Sequence, residues 1–201
     1  MVSDHTVYEQ VAQLHSANID QGFLPSLGLP FLSLLYEAID ADESSVLLVA
    51  EREGLIVGFV SGTEGMGRIY RQLLRRWLRL SWTLLPTLLA PNKLWRVAEI
   101  LFLSRRSNPM SAFAHAELLS IAVEPAHRGA GLAQDLYRQL TEHFRRRHMD
   151  AFRIVVGEQL AAAHRFYLKQ GARPVGAVQI HAGECSVVYE HELSRSDFGA
   201  L

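Results

Sequence analysis

Two glycines stand two residues apart where an apolar run gives way to an amphipathic one, in Val123-Glu124-Pro125-Ala126-His127-Arg128-Gly129-Ala130-Gly131-Leu132-Ala133. A strand ending there and a helix starting there leave several backbone N–H groups unpaired around one concavity, with the positive end of the helix dipole behind them. Gly129 and Gly131 permit backbone angles and a close approach that a Cβ would block. Arg128 adds a fixed positive charge at the rim. This is chemistry for holding a pyrophosphate without a metal. Other phosphate loops fit poorly: neither Lys nor Ser/Thr follows Gly131, and no G-x-G-x-x-G follows an early strand.

Other reactive residue types narrow the field. The single cysteine, Cys185, excludes an internal disulfide framework and any Cys-rich zinc or iron–sulfur site. No histidine stands at a telling position to activate it as a nucleophile. His143 and His148 lack the H-E-x-x-H spacing and no acid cluster joins them, so no metal site is expected.

Holding such a loop requires a strand before it and a helix after it. Ala116 to Val123 reads as that strand, and Leu132 to Arg147 as the helix, with Leu132, Leu136, Leu140 and Phe144 at i,i+4 spacing. Residues 152–156 predict a second strand, 161–170 a helix stopped by Gly171, and 175–180 with 186–193 a closing strand pair. Upstream, Val7, Val11 and Leu14, then Leu32, Leu35 and Ile39 after Pro30, predict two helices in the first forty residues, and no strand is evident before Val7. Residues 44–50 and 55–60 flank the polar turn EREG and read as an antiparallel hairpin, with the pattern breaking over 61–67. The order implies an α/β (α+β) domain: a mixed sheet with helices on its faces, one right-handed βαβ crossover, and a ligand site where strand ends meet the helix start.

The chain has 201 residues, 49% apolar and 20% charged, with a formal charge of -1. These values fit one folded domain over 1–201. They argue against disorder and against a nucleic-acid binder. The start, MVSDHTVYEQ, lacks a secretory pattern, which makes the cytoplasm the default location. The charge is uneven. From Glu64 to Arg106 nine basic residues meet two acids, a net +7 against -8 elsewhere, and all three tryptophans (Trp77, Trp82, Trp95) lie there. With breaks at Pro86 and Pro91, this block reads as a basic amphipathic helical insertion at about 64–106. No apolar stretch reaches the roughly 18 residues needed to span a bilayer.

The run Val123-x-Pro125-x-x-Arg128-Gly129-x-Gly131-x-Ala133 resembles the acyl-CoA-binding motif R/Q-x-x-G-x-G/A of the GNAT acyltransferase superfamily. Ala163-His164-Arg165-Phe166-Tyr167-Leu168-Lys169-Gln170-Gly171-Ala172 resembles its second signature, A-x-x-F-Y-x-x-x-G-F. Both stand in the right order, separated by a helix and a strand. Two positions depart: Leu160 stands where the family often has Asn, and Ala172 replaces the usual Phe. The resemblance implies a mostly antiparallel, twisted sheet and an enzyme using acetyl-CoA or a related acyl-CoA. It also implies that the strands at 116–123 and 152–156 splay apart around the pantetheine arm. A backbone N–H of Ile121, Ala122 or Val123 would then polarise the thioester carbonyl, and the backbone of Arg128, Gly129, Ala130, Gly131, Leu132 and Ala133 would take the pyrophosphate.

Amide formation from a thioester needs a neutral amine, a stabilised oxyanion and a protonated leaving thiolate. The resemblance makes Tyr167 the acid; read without it, Tyr167 is a core residue packed beside Phe166. Glu117 is the base candidate, on a strand face shared with Leu119 and Ile121, although the solvated start of a strand is an equally open reading. His115 is the second base or substrate ligand, and His164, on the Tyr167 helix face, a cofactor contact or a surface histidine. In the insertion, Arg68, Arg71, Arg75 and Arg79 form a basic stripe, and Leu73, Trp77, Leu80 and Leu84 an apolar one. Three readings stay open: a lid packed on the domain or against a second subunit, an attractor for a phosphorylated acceptor through Arg71, Arg75 and Arg79, or an interfacial helix over 68–103 on an anionic membrane. The expected activity is transfer of acetyl from acetyl-CoA to a primary amine of a small molecule, for example a nucleotide-linked amino sugar. The alternatives are an O-acyl or longer-chain acyltransferase and a non-catalytic CoA-binding module.

Overall fold

The computed structural model describes residues 4–19, 27–75, 113–181 and 184–193. Six strands form one sheet in the order β1-β2-β3-β4-β6-β5. In chain order the elements are α1 (Asp4–Asn18), α2 (Leu29–Asp40), β1 (Ser45–Arg52), β2 (Leu55–Thr63), α3 (Met66–Arg75), β3 (Ala116–Val123), a 3₁₀ turn (Pro125–His127), α4 (Leu132–Arg146), β4 (Ala151–Gly157), α5 (Ala161–Lys169), β5 (Arg173–His181) and β6 (Glu184–Glu192). Only β3 and β4 run parallel; every other neighbouring pair is antiparallel.

The two sheet faces carry separate cores. Val11 and Leu14 of α1, six residues of α2 and Ile69 and Leu73 of α3 cover one face, around Phe59 of β2. The opposite face packs Leu136, Leu140 and Phe144 of α4, one turn apart on a single stripe, with Tyr167 of α5 against Phe152 and Ile154 of β4. Gly62 lets α4 lie close to β2, because a Cβ there would stand 2.7 Å from Leu140 Cδ1 and 2.8 Å from Phe144 Cζ. The hairpin turns at Glu53 and Gly54, both at positive φ (52° and 82°), which suits the twist of its strands.

Two expectations need correcting here. The break read over 61–67 begins later, since β2 continues to Thr63: Ser61 and Thr63 are fully buried, and Ser45 Oγ donates to Thr63 Oγ1 (2.9 Å) across the hairpin. Small hydroxylated residues read as turn formers, but here they lie in a buried strand, and at Thr63 the neighbouring strand supplies the hydrogen-bond partner. The basic insertion's first helix, expected from about Arg68, starts at Met66 and docks on α2, with Gln72 Nε2 donating to Ala41 O and Asp42 Oδ2 (both 3.3 Å). Arg79, the tryptophans and the rest of the insertion lie outside the described residues.

Candidate functional site: the open edge of β3 and the loop beyond it

The two edges of β3 differ. Glu124 N–H donates to Val57 O (2.9 Å), which sets the phase of the β2–β3 ladder. Only alternate residues of an antiparallel pair exchange bonds with their neighbour. Ala122 therefore uses its N–H on β2, whereas the N–H groups of Ile121 and Val123 point toward β4. No β4 backbone meets them there, because parallel pairing is confined to Ala116↔Phe152, Glu117↔Arg153 and Leu118↔Ile154. β3 runs on to Val123 and β4 to Gly157 without a mutual bond, leaving a wedge between them. Of the three residues expected to face a thioester, Ile121 and Val123 present an N–H to the wedge and Ala122 does not.

The face assignment along β3 also needs correcting. The ladder steps from Ser61↔Ser120 to Gly62↔Leu118, so one extra residue, Leu119, is inserted as a β-bulge. Leu118 and Ile121 then both pack on the α4 face, while Leu119 and Ala122 pack under α1 and α2. Glu117 therefore does not share a face with Ile121.

Past Val123 the chain makes its 3₁₀ turn and enters the glycine loop. Gly129 and Gly131 have φ of 83° and 84°, and a Cβ on either would meet nothing within 4 Å. The space an anion needs is open, and the left-handed backbone explains the glycines. Gly131 caps α4, with no side-chain cap, and the first backbone bond of the helix runs from Asp135 N–H to Gly131 O (3.0 Å). The N–H groups from Gly129 through Gln134, those of Ala130, Leu132 and Ala133 included, meet no acceptor among the described residues. Orphan donors backed by a helix dipole suit a pyrophosphate. Beside them lies a cleft of about 200 Å³, lined by Arg52, Ala126, His127, Arg128, Ala130, Leu132 and Asp135. The Arg128 guanidinium is engaged elsewhere: Nε donates to Val123 O (2.9 Å) and Nη2 to Asn18 Oδ1 (2.6 Å).

Tyr167 is 6% exposed on the α4 face, bracketed by Tyr137 (ring centroids 6.1 Å), Phe166 (5.2 Å) and Tyr189 (6.4 Å). Burial raises its pKa well above that of a free phenol, so it is protonated at neutral pH. Among the described residues its hydroxyl has no hydrogen-bond partner. Glu117 lies at the closed foot of the wedge. Its Oε2 accepts from Arg153 Nε (3.0 Å) and Nη2 (2.6 Å), with the side chains only 17% and 10% exposed. Arg153 also donates from Nη1 to Ala114 O (3.0 Å). His115 is exposed just before β3. His164 is corrected: Nε2 faces Gly157 O (3.1 Å) and Glu158 O (3.2 Å), and Nδ1 faces the Tyr189 hydroxyl (2.8 Å). Both ring nitrogens are taken, so the imidazole ties α5 to β4 and β6 and keeps no hydrogen bond for a cofactor. Arg68 and Arg71 are exposed on α3; Arg75 ends that helix.

Several residues escaped the sequence reading. Arg52, Asn18 and Arg153 carry no local signal, because what each meets at the site is remote in the chain: the cleft wall over 126–135, Arg128 and Glu117. His15 had one: it stands four residues after Val11, on the buried stripe of α1. It is 2% exposed, stacks on Phe59 (interplanar 17°) and is hydrogen-bonded through Nδ1 to the Tyr36 hydroxyl. Burial lowers its pKa to about 4. The Tyr36 hydroxyl lies close to Ser120, beside the bulge.

Known proteins match this geometry. The chain spans nearly the full length of several solved structures. It has 12% identity and a TM-score of 0.57 to the ribosomal-protein-S18-alanine N-acetyltransferase from Escherichia coli, covering 98% of this chain and 94% of that one. For an N-acetyltransferase from Staphylococcus aureus Mu50 the values are 13% and 0.61, covering 96% of each chain. The yncA protein of Salmonella typhimurium, solved with its cofactor acetyl-CoA, gives 16% and 0.59, covering 97% and 93%. At such identities these likenesses establish the fold. No curated protein sequence matches the chain. The model of the acetyltransferase (GNAT) family matches residues 15–172, from the last turns of α1 to the end of the second signature. The chain belongs to the GNAT acetyltransferase family, whose chemistry is acetyl transfer from acetyl-CoA.

Proposed function

We propose that the protein transfers an acetyl group from acetyl-CoA to a primary amine of a small molecule, by direct attack in a ternary complex. The observation that carries this reading is the arc of unpaired N–H groups from Gly129 to Gln134, opening beside a β3 edge that lacks a strand partner. Acetyl-CoA supplies an acyl group already activated as a thioester. The chain's own residues supply the rest. The loop N–H groups and the α4 dipole fit the pyrophosphate. The Ile121 and Val123 N–H groups are fixed donors along the wedge, suited to a carbonyl oxygen gaining negative charge. Tyr167 keeps its proton at neutral pH and is the group assigned to the departing sulfur. Glu117 is assigned the amine proton: Arg153 holds Oε2 and leaves Oε1 free, while His115 stands two residues away as the second group able to act as base. The exposed Arg68 and Arg71, with Arg75 and Arg79 following, favour a phosphorylated acceptor such as a nucleotide-linked amino sugar.

Mass spectrometry of the protein with acetyl-CoA and a panel of amines tests the reading. An acetylated amine and free CoA in equal amounts are expected. Calorimetric titration of CoA should give the same affinity with and without EDTA. Loss of binding on chelation, or CoA release with no acylated amine for any acceptor, would overturn it.

A further inference from the structure

Arg128 opens the glycine loop and lines the cleft beside it, but its guanidinium makes its hydrogen bonds within the protein. One of its bonds, to Val123 O, ties the start of the loop to the end of β3. The other crosses to Asn18, the last residue of α1, 110 positions away in the chain. Asn18 is fixed in turn, because its Nδ2 donates to Leu14 O (2.9 Å) across the last turn of α1. The two bonds determine each other: turning the amide over would set an NH₂ against a guanidinium and a carbonyl against a carbonyl.

The loop has little else to hold it. Its backbone bonds are His127 N–H to Glu124 O (2.9 Å) and Arg128 N–H to Pro125 O (3.3 Å), followed by none until Asp135. Six successive N–H groups lie between, and two of those residues are glycines, which lose the most conformational freedom when ordered. An arc of this kind binds tightly only if it is shaped before its ligand arrives.

We infer that Asn18 is a positioning residue for the acyl-CoA site, holding Arg128 so that the loop's N–H groups converge, without touching the ligand itself. This rests on the acetyl-CoA reading above. A double-mutant cycle tests it, with CoA as the probe and calorimetric Kd and Tm as the readouts. Asn18→Leu should weaken CoA roughly 10-fold, as expected for a hydrogen bond to a charged group. Arg128→Met should weaken it at least as much. The double variant should bind within about twofold of Arg128→Met alone, because Asn18 acts through Arg128. Asn18→Asp separates positioning from helix capping. It keeps an oxygen for Arg128 and loses the donor to Leu14, so Tm should fall while CoA affinity, measured in high salt to screen the new charge, stays within about threefold of wild type. Full additivity in the cycle, or an Asn18→Asp variant as weak as Asn18→Leu, would mean that fraying of α1 causes the loss and would overturn the inference. Tighter binding by Asn18→Leu would overturn it too, by showing that Asn18 restrains an arginine better used on phosphate. A wild-type protein that does not bind CoA removes the acetyl-CoA reading and this inference together. Binding that ignores Asn18→Leu removes the role of Asn18 alone.

Discussion

Below Leu118, β3 is paired on both edges; above it, on one. The lower part also carries a nearly buried ion pair, Glu117–Arg153, and Arg153 extends to Ala114 and so fastens the chain's entry into the strand. The upper part has no such cross-strand clasp toward β4. It is supported from its other sides. Its β2 edge is fully laddered, Tyr36 stands behind Ser120, and Arg128 caps the Val123 carbonyl. An unpaired edge inside a sheet loses hydrogen bonds that water or a ligand must replace. The comparison teaches that binding capacity is placed where backbone groups are withheld from the sheet, and that rigidity is placed immediately below. The bulge at Leu119 separates the two regimes.

The largest expected effect lies at the open end. Gly131→Val puts a β-branched residue at a φ of 84° and fills the space in front of the N–H arc. CoA affinity should fall roughly 1,000-fold, about 4 kcal/mol, combining backbone strain with displaced donors. Gly131→Ala, with the strain but less bulk, should lose less. Unchanged titration curves for both would break the contrast by showing that the open end binds nothing. Next comes Tyr167→Phe, which removes the proposed proton donor and leaves the ring packed on Tyr137 and Tyr189. Turnover should drop roughly 100-fold with little change in KM for acetyl-CoA, provided chemistry limits the rate. Wild-type turnover would leave Tyr167 as packing.

Glu117→Gln probes the closed end. Arg153 would keep a hydrogen-bond partner but lose its countercharge in a site nearly shut to water, costing about 2 kcal/mol in denaturant unfolding. If Glu117 also takes the amine proton, activity should fall most at low pH, where the amine is protonated, and partly recover as pH rises. A pH–rate profile that merely scales down would confine Glu117 to the clasp and move the base to His115.

Much of this site could be read from the residues alone. The spacing of Leu136, Leu140 and Phe144 and the Gly129/Gly131 pair placed strand, loop and helix nearly where they stand, because each depends on local periodicity and backbone freedom. The bulge could not be read, since Leu119 looks like any strand residue and only the register against β2 makes it the extra one. The partners of Glu117 and Arg128 lie 36 and 110 positions away, beyond the reach of any local pattern. His164 misled for the same reason. Its helix face pointed to Tyr167, but the groups it meets, Tyr189 and Gly157, come from neighbouring strands.

The smallest expected effect concerns the support behind the upper half of β3. His15 is buried and neutral, with a pKa lowered from 6.5 to about 4. On acidification the unfolded chain takes up this proton first, so the contribution of His15 is complete above about pH 6.5. It declines by about 1.4 kcal/mol per pH unit between 6.5 and 4 and is constant below that. Burial lowers the pKa of His143 and His191 as well, which steepens the fall in the same direction. His15→Gln removes one titrating group together with the ring stacked on Phe59. At pH 7 the variant should be less stable, by about 1–2 kcal/mol. It should also lose stability more slowly on acidification, so that the two curves of unfolding free energy against pH cross between about pH 6 and pH 5, with the variant the more stable of the two below that. Denaturant titrations at half-unit intervals from pH 7.5 to 4 read this directly. Parallel curves would show that His15 titrates alike in both states, and the upper half of β3 would then not be backed by a neutral, dry His15–Tyr36 pair.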